Sequence, residues 1–302
     1  MLLGGRDSVP LPGTWAVLHR VTREAGGPVD SVRTDAAGRY RIRVPRARGA
    51  VDSSAVYVVS TWYDSLAYFS LPLNVVGRPA VQVEDLVVYP TTRQTPPIHL
   101  ARRLVTIARP AADGTHDVLE ILELENTGLT TRISDDTLVP TWAGAIPSAA
   151  LQFQAGQGDI SAEAMMRRGD RVLVLGPIPP GHAKQLSYGY VLPAGGGGGG
   201  VALPIDQPTQ ELNLLVEDTA AAVAAPKLES LGVQEIEQRR FAAYRAGPLA
   251  AGDRVTLGLP RGAFRAQTLL PYVIALLALA MVGALVWALK RKPALAPDPS
   301  AP

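Results

Sequence analysis

Cysteine is absent from all 302 residues. That removes disulfides, thiolate nucleophiles and cysteine metal sites together. Histidine is scarce as well: His19, His99, His116 and His182 lie far apart, and none opens an H-E-x-x-H. The helical histidine pair of a zinc protease is therefore missing. There is no G-x-S-x-G elbow for a hydrolase serine. Charge of one sign is also lacking, since the net charge is only +2, and a nucleic-acid partner is not expected. Gly195–Gly200 is a run of six glycines, but Val201-Ala202-Leu203-Pro204 follows it without the Lys and Ser/Thr of a phosphate loop. A flexible hairpin loop is expected there. A single Gly156-Gln157-Gly158-Asp159 cannot build the stacked turns of a calcium-binding repeat. No metal and no cofactor are expected.

Against these gaps stands one long apolar run. Leu269–Leu289 reads LLPYVIALLALAMVGALVWAL and holds no charge. As a helix rising about 1.5 Å per residue it spans about 31 Å, matching a hydrocarbon core of about 30 Å. Its Leu, Ile and Val side chains contribute roughly −3 to −6 kcal/mol on the insertion scale. Tyr272 and Trp287 lie near its ends, where amphipathic rings favour the interface. The run is expected to be a single transmembrane helix, 269–289, in the cytoplasmic membrane. Lys290, Arg291 and Lys292 follow at once, which places the short tail 290–302 in the cytoplasm and the N-terminal part outside, in the periplasm or at the cell surface. Arg254, Arg261 and Arg265 precede the run, so this orientation rests on the adjacency of the triplet. Met1–Gly5 is too short for a signal peptide. Two readings stay open: a start upstream of Met1, or a tail-anchored chain with cytoplasmic domains.

The N-terminal region reads as short strands between turn residues. Tyr40, Ile42 and Val44 alternate with Arg39, Arg41 and Arg43, a period of two that predicts a strand with one buried face. Asp35-Ala36-Ala37-Gly38 before it is a turn. Further strands are expected at Thr14–Val21, Val29–Thr34, Ala55–Thr61, Ala67–Leu71 and Val81–Tyr89, the spacing of an antiparallel sandwich. His19 shares a face with Trp15, Val17 and Val21, and is expected to be partly buried on a backbone partner. Trp62, Tyr63, Tyr68 and Phe69 form the densest aromatic group. Core filling is the plainer role for them, and stacking on a sugar or peptide the functional alternative, with Trp62, Tyr63 and Tyr68 as candidate binding aromatics.

Residues Val32-Arg33-Thr34-Asp35-Ala36-Ala37-Gly38-Arg39-Tyr40-Arg41-Ile42 resemble the T-D-x-x-G-x-Y-x-h core of carboxypeptidase regulatory-like domains. These are prealbumin-type seven-stranded β-sandwiches, accessory modules of many extracytoplasmic proteins. The resemblance covers roughly residues 1–92, and Thr34, Asp35, Gly38 and Tyr40 carry it as structural residues. It implies a fold and often an extracytoplasmic setting, but no activity. Family members open with a V-x-G-x-V strand before the segment matching Gly13–Val21. Only Met1–Gly5 stands there, which favours the upstream start.

Pro90–Pro97 is a stiff polar connector and the expected boundary. Strands resume at Arg102–Ala108, Asp117–Glu125, Thr137–Trp142, Arg171–Leu175, Gln185–Leu192, Val201–Ile205 and Glu211–Glu217. They make a second antiparallel β-sandwich over 98–265. Thr219–Val233, broken by Pro226, is expected to be a linker or short helix. Glu235–Tyr244 and Arg254–Leu259 would then form one more strand pair, which either completes the second sandwich or makes a small membrane-proximal unit. The expected fold class is mainly β: two antiparallel β-sandwich domains followed by one C-terminal transmembrane helix.

Glu123 and Glu125 share a strand face, and Asp135 adjoins Asp136. Glycosidase chemistry needs two carboxyls facing across a cleft, and surface acids are far commoner than catalytic pairs. The expectation is a non-enzymatic cell-envelope protein, binding or scaffolding through its sandwiches, with an envelope glycan or a partner membrane protein as ligand. The alternative is an accessory subunit of a membrane-bound enzyme or transport assembly. Its helix would pack through small residues at Ala280, Gly283 and Ala284.

Overall fold

Alternation of apolar and polar side chains runs through the chain, and strands follow from it. The computed structural model describes residues 1–44, 55–75, 77–134, 136, 138–193, 200–217, 219 and 221–259. Over these the chain is mainly β, and the short 3-10 turn Ala162–Ala164 is the one helical element among the described residues. None of them forms a helix long and apolar enough to cross a membrane. The run 269–289 and the flank Lys290, Arg291 and Lys292 lie outside the described residues.

The first strands are β1 (Leu2–Leu3), β2 (Val9–Pro10), β3 (Trp15–Val21), β4 (Gly26–Arg33), β5 (Val56–Tyr63), β6 (Leu66–Phe69) and β7 (Val87–Val88). They form a four-stranded sheet, β4-β3-β5-β6, and a three-stranded sheet, β2-β1-β7. Side-chain sidedness decides what lies between them. Ala16, Leu18, Tyr57 and Val59 leave one face of the larger sheet and meet Met1 and Leu86 in a small core. The strand expected at Arg39–Val44 makes no ladder with a described strand. Tyr40 and Ile42 still pack on that core, while Arg39, Arg41, Arg43 and Val44 are exposed. A period of two reports which side a residue faces; a ladder also needs a neighbour with free N–H and C=O groups.

After β8 (Thr91–Thr92) come β9 (Ile98–Ile107), β10 (His116–Asn126), β11 (Thr131–Arg132), β12 (Trp142–Ala145), β13 (Leu151–Ala155), β14 (Met165–Arg168), β15 (Arg171–Val174) and β16 (Lys184–Leu192). The rest are β17 (Val201–Pro204), β18 (Thr209–Val216), β19 (Ala222–Ala224), β20 (Glu229–Ile236), β21 (Arg239–Ala246) and β22 (Arg254–Gly258). One seven-stranded sheet runs β13-β16-β10-β9-β18-β21-β20; two smaller sheets run β12-β15-β14 and β17-β22-β19. Leu122, Leu124, Leu186 and Leu214 of the large sheet share a core with Trp142 and Val174 of one small sheet and with Leu203, Val255 and Leu257 of the other. Burying each such side chain contributes about 1.5–3 kcal/mol. The largest fully buried side chains all belong to this second core, so most of the stability resides there.

Three pairings depart from the expectation. β18 runs parallel to β9, because the chain leaves β16, crosses to β17 in another sheet and returns. A parallel neighbour requires such a crossover. The same crossover corrects the glycine run: the strands on either side of 194–199 belong to different sheets, so they make no hairpin with each other, and 194–199 itself lies outside the described residues. The last strand pair is also different. Glu237 and Gln238 both take positive φ and close a two-residue hairpin between β20 and β21, the geometry whose twist suits antiparallel strands. β22 pairs with β17 and β19 instead. Thr219–Val233 carries β19 and the start of β20, and Thr137–Trp142 reaches a strand only at its last residue.

Candidate functional site

The outward face of the β4-β3-β5-β6 sheet holds the largest concentration of solvent-facing aromatic rings on the first core. Residues two apart on a strand share a face, so Trp15, Val17, His19 and Val21 point away from the core that Ala16 and Leu18 enter. Register aligns them across strands: Arg33 opposes Trp15, and Ser31, Val17, Ser60 and Phe69 lie in one row. Trp62 stands two residues beyond Ser60, on the same outward face as Trp15. Trp15 is 48%, Trp62 69% and Phe69 60% exposed. Leaving a large apolar side chain in water forgoes about 1.5–3 kcal/mol, so this face carries binding energy not used in folding.

Polar groups frame the rings. The Arg33 guanidinium lies 4.5 Å from the Trp15 ring centroid and donates from Nη1 to the Gly13 carbonyl at 2.7 Å. His19 Nε2 is 2.7 Å from Ser60 Oγ, and its ring centroid is 6.5 Å from that of Phe69. The partner of His19 is thus a side chain and not the backbone group expected.

The aromatic group read from sequence divides between two faces. Trp62 belongs to the outward one. Tyr68 packs against the small core, and its hydroxyl donates to Tyr89 O at 3.0 Å while accepting from Tyr89 N at 3.2 Å. Tyr63 opposes Leu66 beside the turn residues Asp64 and Ser65, both at positive φ, on the same side of β5 as Tyr57 and Val59. Trp15 and Phe69 share the outward face with Trp62. The alternation that put Trp15 with His19 was the available signal; the pairing of β3 with β5, which puts Trp15 and Trp62 on one sheet face, was not.

Thr34, Asp35, Gly38 and Tyr40 all build local structure. Thr34 Oγ1 donates to Leu11 O at 2.7 Å and accepts from Thr14 N at 3.0 Å. Asp35 Oδ1 accepts from Ala37 N and Arg39 N at 2.9 and 2.8 Å. Gly38 sits at φ +70° with Met1 O only 2.4 Å from where a Cβ would stand, so a side chain fails there on strain and on space. Burial, with the charge of Asp85 behind it, raises the Tyr40 hydroxyl.

Several buried titratable groups elsewhere satisfy one another. Glu120, fully buried, accepts from Arg103 Nε and Nη2 at 2.8 and 3.0 Å, from Tyr190 OH at 2.7 Å and from Tyr188 OH at 3.2 Å. Arg103 Nη1 donates to Pro204 O at 2.8 Å. Burial, then the Glu120 charge, pushes both tyrosines well above their ordinary range. This cluster is closed to substrate and ties β9, β10 and β16 to β17. His116 is buried with Nδ1 2.9 Å from Ala108 O. Glu123 pairs with Arg102 at 3.1 Å and Glu125 faces the same side of β10; Asp136 is exposed, and Asp135 lies outside the described residues. Among the described residues no group of three His, Asp or Glu side chains could hold a metal.

Among the described residues, Glu217 is the carboxylate held furthest below its ordinary value. Hydrogen bonds from Arg239, joined by Arg109 N at 3.0 Å, outweigh burial and lower it from 4.5 to about 2. A depressed carboxylate contributes stability that is complete above its unfolded value and lost as pH falls toward its folded one. Glu217→Gln is therefore expected to narrow its stability gap to wild type as pH drops from about 4.5 to about 2. Denaturant unfolding of both proteins across that window measures the difference, and a constant gap would refute the assignment.

No family model matches the chain, and no curated protein matches it. Among solved structures, the M1 zinc metallopeptidase from Deinococcus radiodurans aligns at 10% identity and a TM-score of 0.36, over 54% of this chain and 42% of that one. A mutant of the same enzyme bound to a Tyr-Ser-Ala substrate aligns at 11% identity and a TM-score of 0.35, over 53% and 42%. The chain thus spans less than half the length of these proteins. Similarity at this level assigns neither activity nor ancestry to the chain.

Proposed function

We propose that the chain is a non-enzymatic, membrane-anchored cell-envelope protein. It displays two β-sandwich binding modules outside the cytoplasmic membrane, the first of them carboxypeptidase regulatory-like over 1–92. The observation that carries the binding reading is the outward face of Trp15, Trp62 and Phe69, left exposed beside Arg33 and the Ser60–His19 pair. The partner is an envelope glycan. Indole rings offer flat apolar faces to the C–H side of a pyranose, while guanidinium, hydroxyl and imidazole groups hydrogen-bond its rim. The uncharged run 269–289 and its Lys290-Arg291-Lys292 flank support the anchor and its orientation.

Trp62→Ala is expected to weaken retention on isolated peptidoglycan or envelope polysaccharide about tenfold, near 1.4 kcal/mol. Val233→Ala on the exposed edge strand β20, itself 52% exposed, should leave retention unchanged. Equal retention of wild type and Trp62→Ala in a pull-down would remove the glycan reading. A second reading, an accessory subunit, is favoured by the small residues Ala280, Gly283 and Ala284 in the apolar run. Its sign would be one stoichiometric membrane protein copurifying in mild detergent.

A further inference from the structure

We infer that Arg132 forms the floor of a pocket that binds a small organic carboxylate. The backbone of Arg132 is held on both sides. β11 pairs parallel with β8, and Arg132 exchanges backbone hydrogen bonds with Ile178 at 3.1 and 3.0 Å, while Ile133 N donates to Thr92 O at 3.0 Å. The residue is only 4% exposed. Yet its buried Nε and Nη1 have no hydrogen-bond acceptor among the described residues.

The other fully buried guanidinium makes the contrast. Arg103 satisfies Nε, Nη1 and Nη2 with Glu120 and Pro204. A buried charge is tolerated when it is paired and hydrogen-bonded, and is costly otherwise. Arg132 is buried, yet its Nε and Nη1 find no such acceptor among the described residues. An acceptor brought by a ligand completes it.

There is room for one. Arg132 lines an open pocket of about 260 Å³ together with Arg93, Ile133, Ser134, Asp136 and Val139. At roughly 30 Å³ per water, that space holds a carboxylate and a short carbon chain. Planar guanidinium groups match carboxylate geometry. Ile133 and Val139 supply an apolar wall for the chain. Asp136 Oδ1 accepts from Leu138 N at 2.7 Å, and its charge set against Arg93 and Arg132 leaves the lining with one net positive charge, the complement of a monoanion. Ser134 Oγ is engaged with the carbonyls of Asp136 and Val139, so its hydroxyl is not a donor for a bound anion. A singly charged carboxylate with a branched apolar tail fits this lining best. The inference is independent of any ligand on the aromatic face.

Titrating isobutyrate into the full chain in mild detergent tests it, with inorganic phosphate as the parallel probe. Saturable isobutyrate binding is expected, weakened about tenfold or more by Arg132→Met. The same variant is expected to raise Tm in ligand-free buffer, because it removes an uncompensated buried charge. Arg132→Lys, which keeps the charge but loses the planar fork, should bind more weakly than wild type and not raise Tm. The inference is overturned by an absence of saturable isobutyrate binding, by phosphate binding more tightly, or by isobutyrate binding that survives Arg132→Met.

Discussion

Glu120→Leu is expected to destabilise the protein by about 3–5 kcal/mol, the cost of leaving a buried charge without its counter-ion. Glu120 is the common acceptor of Arg103, Tyr188 and Tyr190. Its removal orphans one guanidinium and two hydroxyls in a site with no water access. Arg103→Met is expected to cost a similar amount for the mirror-image reason. The double variant, Arg103→Met with Glu120→Leu, should recover much of the loss but stay below wild type, since each unpaired tyrosine hydroxyl still costs about 1–3 kcal/mol. Adding Tyr188→Phe and Tyr190→Phe should close that gap. Denaturant midpoints at constant m-value measure the series. Single variants within about 1 kcal/mol of wild type would mean that the cluster is hydrated, contrary to its burial.

The largest effect on location is expected from Leu279→Arg combined with Val282→Arg in the middle of the apolar run. An arginine at a helix centre costs about 2.5–3.5 kcal/mol on the insertion scale, so two cost about 5–7 kcal/mol and offset most or all of the roughly −3 to −6 kcal/mol that the Leu, Ile and Val side chains supply. The variant should appear in the carbonate-soluble fraction, whereas wild type should remain with the membrane. A conservative pair, Leu279→Ile with Val282→Leu, should behave as wild type. Retention of the double-arginine variant in the membrane pellet would mean that another part of the chain provides the attachment.

Much of the strand content was legible in the alternation itself. β3, β15, β16, β17 and β18 lie within two residues of their expected ends, because burial of one sheet face imposes a period of two on each strand separately. β13 and β14 were not foreseen: the first is an edge strand with an irregular register and the second only four residues long, so neither carries a clean pattern. The candidate face was half legible. His19 and Trp15 were placed together because they share a strand, whereas Trp62 was grouped with Tyr63 and Tyr68 because they are close in sequence.

Composition and local pattern, taken alone, determined the β character, the turn at Asp35–Gly38, the lack of cysteine and of an H-E-x-x-H string, and the long apolar run. These are properties of residues within a few positions of one another. Partner choice belonged to the tertiary structure: β18 beside β9, β22 beside β17, β3 beside β5, and Arg103 on Glu120. Each joins segments whose attraction depends on where the intervening chain returns. Arg132 is the clearest case. In the sequence it is one arginine among many, and only the fold buries it, leaves its Nε and Nη1 without an acceptor among the described residues and opens a pocket beside it.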